Sequence, residues 1–176
     1  MQIDFKKFEA VASTSDEAKK LALSGAEPWT VVVANEQTGG HGRKGDEWFS
    51  PTGGLYFSII LPKSNIEDLQ TLTILAAFII AKTIKEIYGL EPLIKLPNDV
   101  LLNGKKICGI LTENIIDKEI KTSVMGIGLN TNIKELPAEL KGIATSLEIE
   151  LKKEVDNEKI INQIIEGLRA QLEILN

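Results

Sequence analysis

The run Leu93-Ile94-Lys95-Leu96-Pro97-Asn98-Asp99-Val100-Leu101-Leu102-Asn103-Gly104-Lys105-Lys106-Ile107-Cys108-Gly109-Ile110-Leu111-Thr112-Glu113 alternates short apolar segments with turn chemistry. Strand signals lie at Leu93 to Leu96, Val100 to Leu102 and Ile107 to Ile116, and Asn103-Gly104 between two of them is a strong hairpin signal. A further strand, Ile120 to Leu129, follows a second reversal at Asp117-Lys118-Glu119. Successive strands joined by tight turns form a meander and pair antiparallel.

Outward from this cluster, Trp29 to Ala34 reads as a strand covered on both faces, because Thr30, Val31, Val32 and Val33 are β-branched without interruption. Leu55 to Leu61 is another, ended by Pro62. Helices frame them. Thr14 and Glu17 form a capping box for a first helix that Gly25 stops. Ser64 to Tyr88 predicts the longest helix, with Ser64 and Glu67 as its capping box and Gly89 as its stop. A last helix covers about Asn157 to Leu175, with Ile160, Ile161, Ile164, Ile165, Leu168 and Leu172 on one side. Helix, strands, helix, meander and helix predict an α+β fold, a mixed and largely antiparallel sheet with flanking helices. At 176 residues, without internal repeats or linker-like segments, residues 1–176 are expected to form a single domain.

Charge and cysteine content narrow the function. Lys and Arg number 20 against 25 Asp and Glu, a net of −5, which opposes the basic footprint that nucleic acid requires. Cys108 stands alone, so neither an internal disulfide nor a Cys-x-x-Cys pair can form. The N-terminus lacks the apolar run of an export signal, and Leu75 to Ala81 is far shorter than the ~18 residues of a membrane span. A soluble, cytoplasmic protein without nucleic-acid or membrane partners is expected.

Chemistry concentrates in the glycine- and charge-rich segment from Asn35 to Gly54. Residues 40–45 satisfy G-x-G-x-x-G, but Trp48-Phe49-Ser50-Pro51 follows where a dinucleotide fold needs a helix, and no P-loop lysine motif occurs. What remains is a loop whose glycines admit backbone donors to an anion, with Arg43 and Lys44 as cations. Pro97 places Asn98 and Asp99 at a strand-to-strand kink, where an amide and a carboxylate can serve a metal or a ribose. Gly109 within a β-branched strand marks a close approach of ligand or backbone, with Lys106 just before it.

Together the runs Gln-x-Gly-Gly-His-Gly-Arg-x-Gly-x-x-Trp-x-Ser-Pro, Lys-x-Pro-Asn-Asp, Lys-Ile-x-Gly-Ile-Leu-x-Glu and Gly-Ile-Gly-Leu-Asn resemble the catalytic domain of biotin protein ligases, the biotin–[acetyl-CoA-carboxylase] ligases. The order and spacing match from about Ser13 to Ser146. The resemblance implies a fold like that of class II aminoacyl-tRNA synthetases and a two-step reaction. Biotin and Mg-ATP (Mg2+ and ATP) give biotinoyl-5′-adenylate and pyrophosphate, and the biotinoyl group then passes to one lysine of a biotin carboxyl carrier protein. Lipoate ligases share this adenylate chemistry and are the nearest alternative. A biotin- or adenylate-binding module deficient in transfer is another.

By the resemblance, Ser13, Thr14, Ser15 and Gln37 meet the ureido head of biotin, and Gly40, His41, Gly42 and Arg43 close over its carboxylate and the adenylate, with Gly109 beside the biotin. Lys106 reaches carboxylate and phosphate, and Lys95 the phosphates; with Arg43 these are the implied catalytic cations. Trp48 offers a surface to adenine, Asn130 a hydrogen bond to it, Asn98 lies by the adenylate, and Asp99 faces the metal. Two departures stand out. His41 replaces the arginine usual in Gly-Arg-Gly-Arg, which points to pH-dependent closure, and Leu96 replaces a tryptophan. The chain is expected to lack the N-terminal DNA-binding and C-terminal β-barrel domains of larger members, which makes transfer the step most affected. A homodimer paired through a sheet edge is a further expectation.

Overall fold

The computed structural model describes residues 3–62, 68–117 and 120–175. In chain order the elements are β1 (Asp4–Val11), α1 (Thr14–Leu23), β2 (Thr30–Gln37), β3 (Leu55–Leu61), α2 (Leu69–Tyr88), β4 (Leu93–Lys95), β5 (Asp99–Leu102), β6 (Lys105–Asp117), β7 (Ile120–Leu129), α3 (Leu147–Leu151) and α4 (Asn157–Leu175). The strands form one seven-stranded sheet in the order β1-β2-β3-β7-β6-β5-β4. Among the paired strands of the described residues, β1–β2 is parallel and the rest are antiparallel, so the sheet is mixed and largely antiparallel, as the meander predicts.

The two faces of the sheet carry different loads. Alternate residues such as Val31, Phe57, Ile59, Met125 and Ile127 point to the face covered by α2 and α4, where they join Ile80, Ile84, Ile164 and Leu168 in the main core. The opposite residues, Val32, Ile60 and Val124, meet Ala18 and Ala22 of α1 in a much smaller cluster. One ten-residue helix cannot cover that face, and the uncovered part becomes the cavity described below.

Local details correct the sequence reading. Ser13, not Thr14, caps α1: its hydroxyl accepts from the Asp16 amide, and the Glu17 carboxylate pairs with Lys20 instead of closing a capping box. Helix α2 begins at Leu69 under Asp68, whose carboxylate accepts from the Gln70 and Thr71 amides. The Ser64–Glu67 box and the turn at Lys118-Glu119 lie outside the described residues. Gly89 ends α2 in the left-handed region (φ 68°), where no Cβ obstructs it. Strand β1 and helix α3 carry no sequence signal that anticipates them. The segment after Gln37 is a narrow hairpin rather than an irregular loop: Trp48 N–H donates to Gly40 O at 2.9 Å, Gly42 N–H to Asp46 O at 2.7 Å, and His41 bridges Glu47.

Candidate functional site

The pairing register lays out the site floor. Tyr56 stands beside Gly128, Gly128 beside Gly109, Gly109 beside Asp99, and Asp99 beside Lys95. In the next row Ser58 stands beside Gly126, and Gly126 beside Leu111. Glycine at 109, 126 and 128 strips side chains from the α1 face and leaves a cavity of about 310 Å3. Added carbons would refill it: a Cβ at Gly109 would come within 2.9 Å of the Trp48 ring, one at Gly128 would strike the indole nitrogen, and one at Gly126 the Ser15 hydroxyl.

One end of the cavity is a cluster of hydroxyls and an amide. Thr14 donates its backbone N–H to Gln37 Oε1 at 2.8 Å, while its hydroxyl lies 3.1 Å from the same oxygen and 2.9 Å from Ser58 Oγ. Ser15 Oγ is 3.0 Å from Ser58 Oγ, and Gln37 Nε2 donates to Ser50 Oγ at 2.9 Å. Because hydroxyls both donate and accept, this end can satisfy a ligand that presents both N–H and C=O. With Ser13 serving as the cap, the Thr14 hydroxyl is free for this cluster. Ser58, buried within the apolar run of β3, is the member that sequence reasoning missed. A lone serine in Leu-Tyr-Phe-Ser-Ile-Ile-Leu was the available signal.

The hairpin forms the other wall. Trp48 lies across Gly109 and Gly128, with Lys106 Nζ 5.1 Å from its ring centroid, and its indole N–H has no partner among the described residues. His41 Nε2 lies 3.4 Å from both Ser13 Oγ and Asp16 Oδ1, joining the hairpin to the start of α1. Arg43, exposed at the tip, places Nη1 3.4 Å from Asn98 Oδ1. Gly40 does not line the cavity, but a Cβ there would sit within 3.0 Å of Ser50, Gln37 and Trp48, so its role is to let the hairpin base close.

Lys106 and Asp99 stand at the centre, with Nζ and Oδ1 2.7 Å apart and Asn98 Nδ2 3.1 Å from the same oxygen. Lys95 shares the row of Asp99 but is exposed on the edge strand, off the cavity wall. Asn130 is buried next to the site, its amide donating to Thr145 O at 2.9 Å, and does not line the cavity either. Among the described residues no three His, Cys, Asp or Glu side chains gather as a metal cluster. Burial pushes the Cys108 thiol well above its ordinary range, with Lys106 opposing that shift, so this cysteine is a neutral core residue. Burial pulls the Lys19 ammonium down, but Glu113 at 2.8 Å and Asp16 at 3.3 Å outweigh it and hold the ammonium above its usual range, bracing the α1 side of the site.

Comparison with known proteins fits this geometry. The Biotin/lipoate A/B protein ligase family profile matches residues 8–130. The Bifunctional ligase/repressor BirA of Bacillus subtilis (strain 168) is 39% identical over 162 residues, covering 89% of this chain and 50% of that protein. The Biotin--[acetyl-CoA-carboxylase] ligase of Paracoccus denitrificans is 39% identical over 124 residues, 67% of this chain and 50% of that protein. The chain thus spans about half the length of these curated relatives. Among solved structures, the biotin protein ligase from Aquifex aeolicus in complex with biotin and ATP superposes with a TM-score of 0.84 at 32% identity, covering 97% of this chain and 72% of that one. The Leishmania major biotin protein ligase in complex with biotinyl-5-AMP gives 0.83 at 26% identity, covering 100% and 77%. The fold is therefore that of the biotin protein ligases, a class II synthetase-like α+β fold. Since the profile spans most of the chain and the site lies inside the matched segment, the chain belongs to the biotin/lipoate A/B protein ligase family.

Proposed function

We propose that this chain carries the catalytic centre of a biotin protein ligase, with residues 1–176 as one catalytic domain. It activates biotin with Mg-ATP to biotinoyl-5′-AMP and transfers the biotinoyl group to a specific lysine of a biotin carboxyl carrier protein. The observation that carries the reading is the glycine floor at 109, 126 and 128 with a hydroxyl–amide cluster at one end and Lys106 at the centre. A ureido ring needs donors and acceptors together, and Ser13, Thr14, Ser15 and Gln37, which line the cavity, provide both, with Ser58 behind Thr14 and Ser15. The dithiolane ring of lipoate offers these groups neither an N–H nor a C=O, so biotin is favoured.

In the first step the biotin carboxylate oxygen attacks the α-phosphorus and pyrophosphate leaves. Two anions must approach, and a fixed cation with aligned donors lowers that barrier. Lys106 lies where the carboxylate would end, and it exchanges its contact with Asp99 for the substrate. Arg43 closes over the adenylate from the hairpin tip, and Trp48 supplies the flat wall beside it. Lys95 would approach the outer phosphates from the edge strand. Magnesium would come with ATP and neutralise phosphate charge, and Asp99, which lines the cavity together with Asp46 and Glu47, is the residue that would hold it. In the second step the acceptor amine attacks the acyl carbon, AMP leaves, and the amine loses a proton. The deciding experiment is biotin-dependent exchange of labelled pyrophosphate into ATP, run beside lipoate. Exchange with biotin alone is expected, exchange with lipoate alone would replace the substrate, and no exchange would overturn the reading. Adding a carrier domain then separates a full ligase from a module that accumulates adenylate.

A further inference from the structure

A break in the β5–β6 ladder aims Lys106. Val100 pairs with Cys108, but Leu101 pairs with Lys106, so Ile107 is an extra residue and the register shifts there. Side chains alternate along a regular strand, and Lys106 would then share the face of Cys108, which is buried in the main core. The bulge reverses that parity: Ile107 and Cys108 both enter the core, while Lys106 and Gly109 both line the cavity.

β7 pairs with β6 from Cys108 onward, and the residues of β6 before it are held on that same edge by the segment that follows β7. Lys106 N–H donates to Ile143 O at 2.8 Å, Thr145 N–H donates to Lys106 O at 2.9 Å, and Asn130 N–H donates to Ile107 O at 2.8 Å. That segment is held in turn by the Asn130 amide on Thr145 O and by a carboxylate. Glu150 of α3 accepts from the Thr145 hydroxyl through Oε1 at 2.6 Å and from the Asn103 amide through Oε2 at 2.6 Å. It therefore joins the turn that precedes Lys106 to the segment that holds its backbone, without touching the cavity.

We propose that Glu150 is a positioning residue that holds the β6 bulge and so points Lys106 at the reacting carboxylate and phosphate. The kinetic part of this inference rests on the ligase reading above; the structural part does not. In Glu150→Ala, amide hydrogen exchange at Lys106 and Thr145 should speed up about tenfold, the equivalent of one lost hydrogen bond, while amides of β3 and β7 keep their protection. Turnover in biotin-dependent pyrophosphate exchange should fall on the order of tenfold to a hundredfold, the effect of a small misplacement, with the KM for biotin within about twofold because its head binds at the far end. Glu150→Gln keeps one acceptor oxygen and should fall between the two. Turnover unchanged in Glu150→Ala would overturn the proposal. So would lost turnover with Lys106 protection intact, or a uniform loss of protection across the sheet, which would signal general unfolding. If the wild-type protein shows no exchange with biotin, the ligase reading fails, and the protection of Lys106 and Thr145 alone still decides whether Glu150 holds the bulge.

Discussion

Trp48 rests on bare backbone at Gly109 and Gly128, and its position depends on the missing side chains. Gly128→Ala places a methyl against the indole, and overpacking of this kind costs about 1–3 kcal/mol. The ring must move, so Gly128→Ala should shift the tryptophan emission and weaken biotin binding by about tenfold or more. Trp29 is 5% exposed and lies in the main core, so the change reports Trp48. An unaltered spectrum and affinity would show that the floor tolerates the carbon. Arg43 acts differently, since its guanidinium reaches Asn98 across the exposed tip. Arg43→Gly should leave adenylate formation largely intact yet raise escape of the adenylate, read as biotin appearing on lysines of bystander proteins. Retention equal to wild type would move that role elsewhere. Lys106→Ala should abolish exchange itself. The residues that face the cavity were legible where a motif is continuous, as in residues 37–48. Asn130 was legible as a neighbour of the site but not in its orientation, because its amide turns to Thr145, a residue distant in sequence. Ser58 is marked in the sequence solely as the one serine in the apolar run of β3, and its link to Thr14 and Ser15 joins residues distant in sequence.

At the scale of elements, the start of α2 gives a pH-dependent test. The Thr71 hydroxyl and the Gln70 amide hold the Asp68 carboxyl below its ordinary value of 3.8. A depressed carboxyl stabilises the fold above its unfolded-state value, and the contribution disappears as pH falls through the folded-state value. The wild type should therefore melt higher than Asp68→Asn at neutral pH, with the two converging once the pH falls below the folded-state value. A constant difference down to that pH would mean that the cap does not depend on ionisation. Elements followed the sequence when their own periodicity decided them: α4 and β3 have the bounds their apolar patterns predict. Strand β1 escaped notice because it is exposed at most positions on a sheet edge, so no alternation marks it, and only pairing with β2 defines it. The one-turn α3 is too short for any periodicity, yet it carries Glu150.

Across the whole molecule the sheet separates stability from chemistry. The α2–α4 face holds the main core, whereas the α1 face gives up packing to the cavity. Leu168 is fully buried on the first face, and Leu168→Ala should cost about 2–5 kcal/mol by lost transfer energy and an added void. The cavity lies across the sheet from Leu168, and effects at sites separated in this way add to within about 0.5 kcal/mol. Ligand binding to the folded state alone adds about 2.7 kcal/mol at a hundredfold excess over Kd. Biotin should therefore raise the unfolding free energy of wild type and Leu168→Ala by equal amounts, although the variant starts from a lower value. Denaturant titrations with and without biotin measure both quantities in one experiment. A smaller increment in the variant would mean that the core face transmits strain through the sheet to the glycine floor, and the division of labour between the two faces would be wrong.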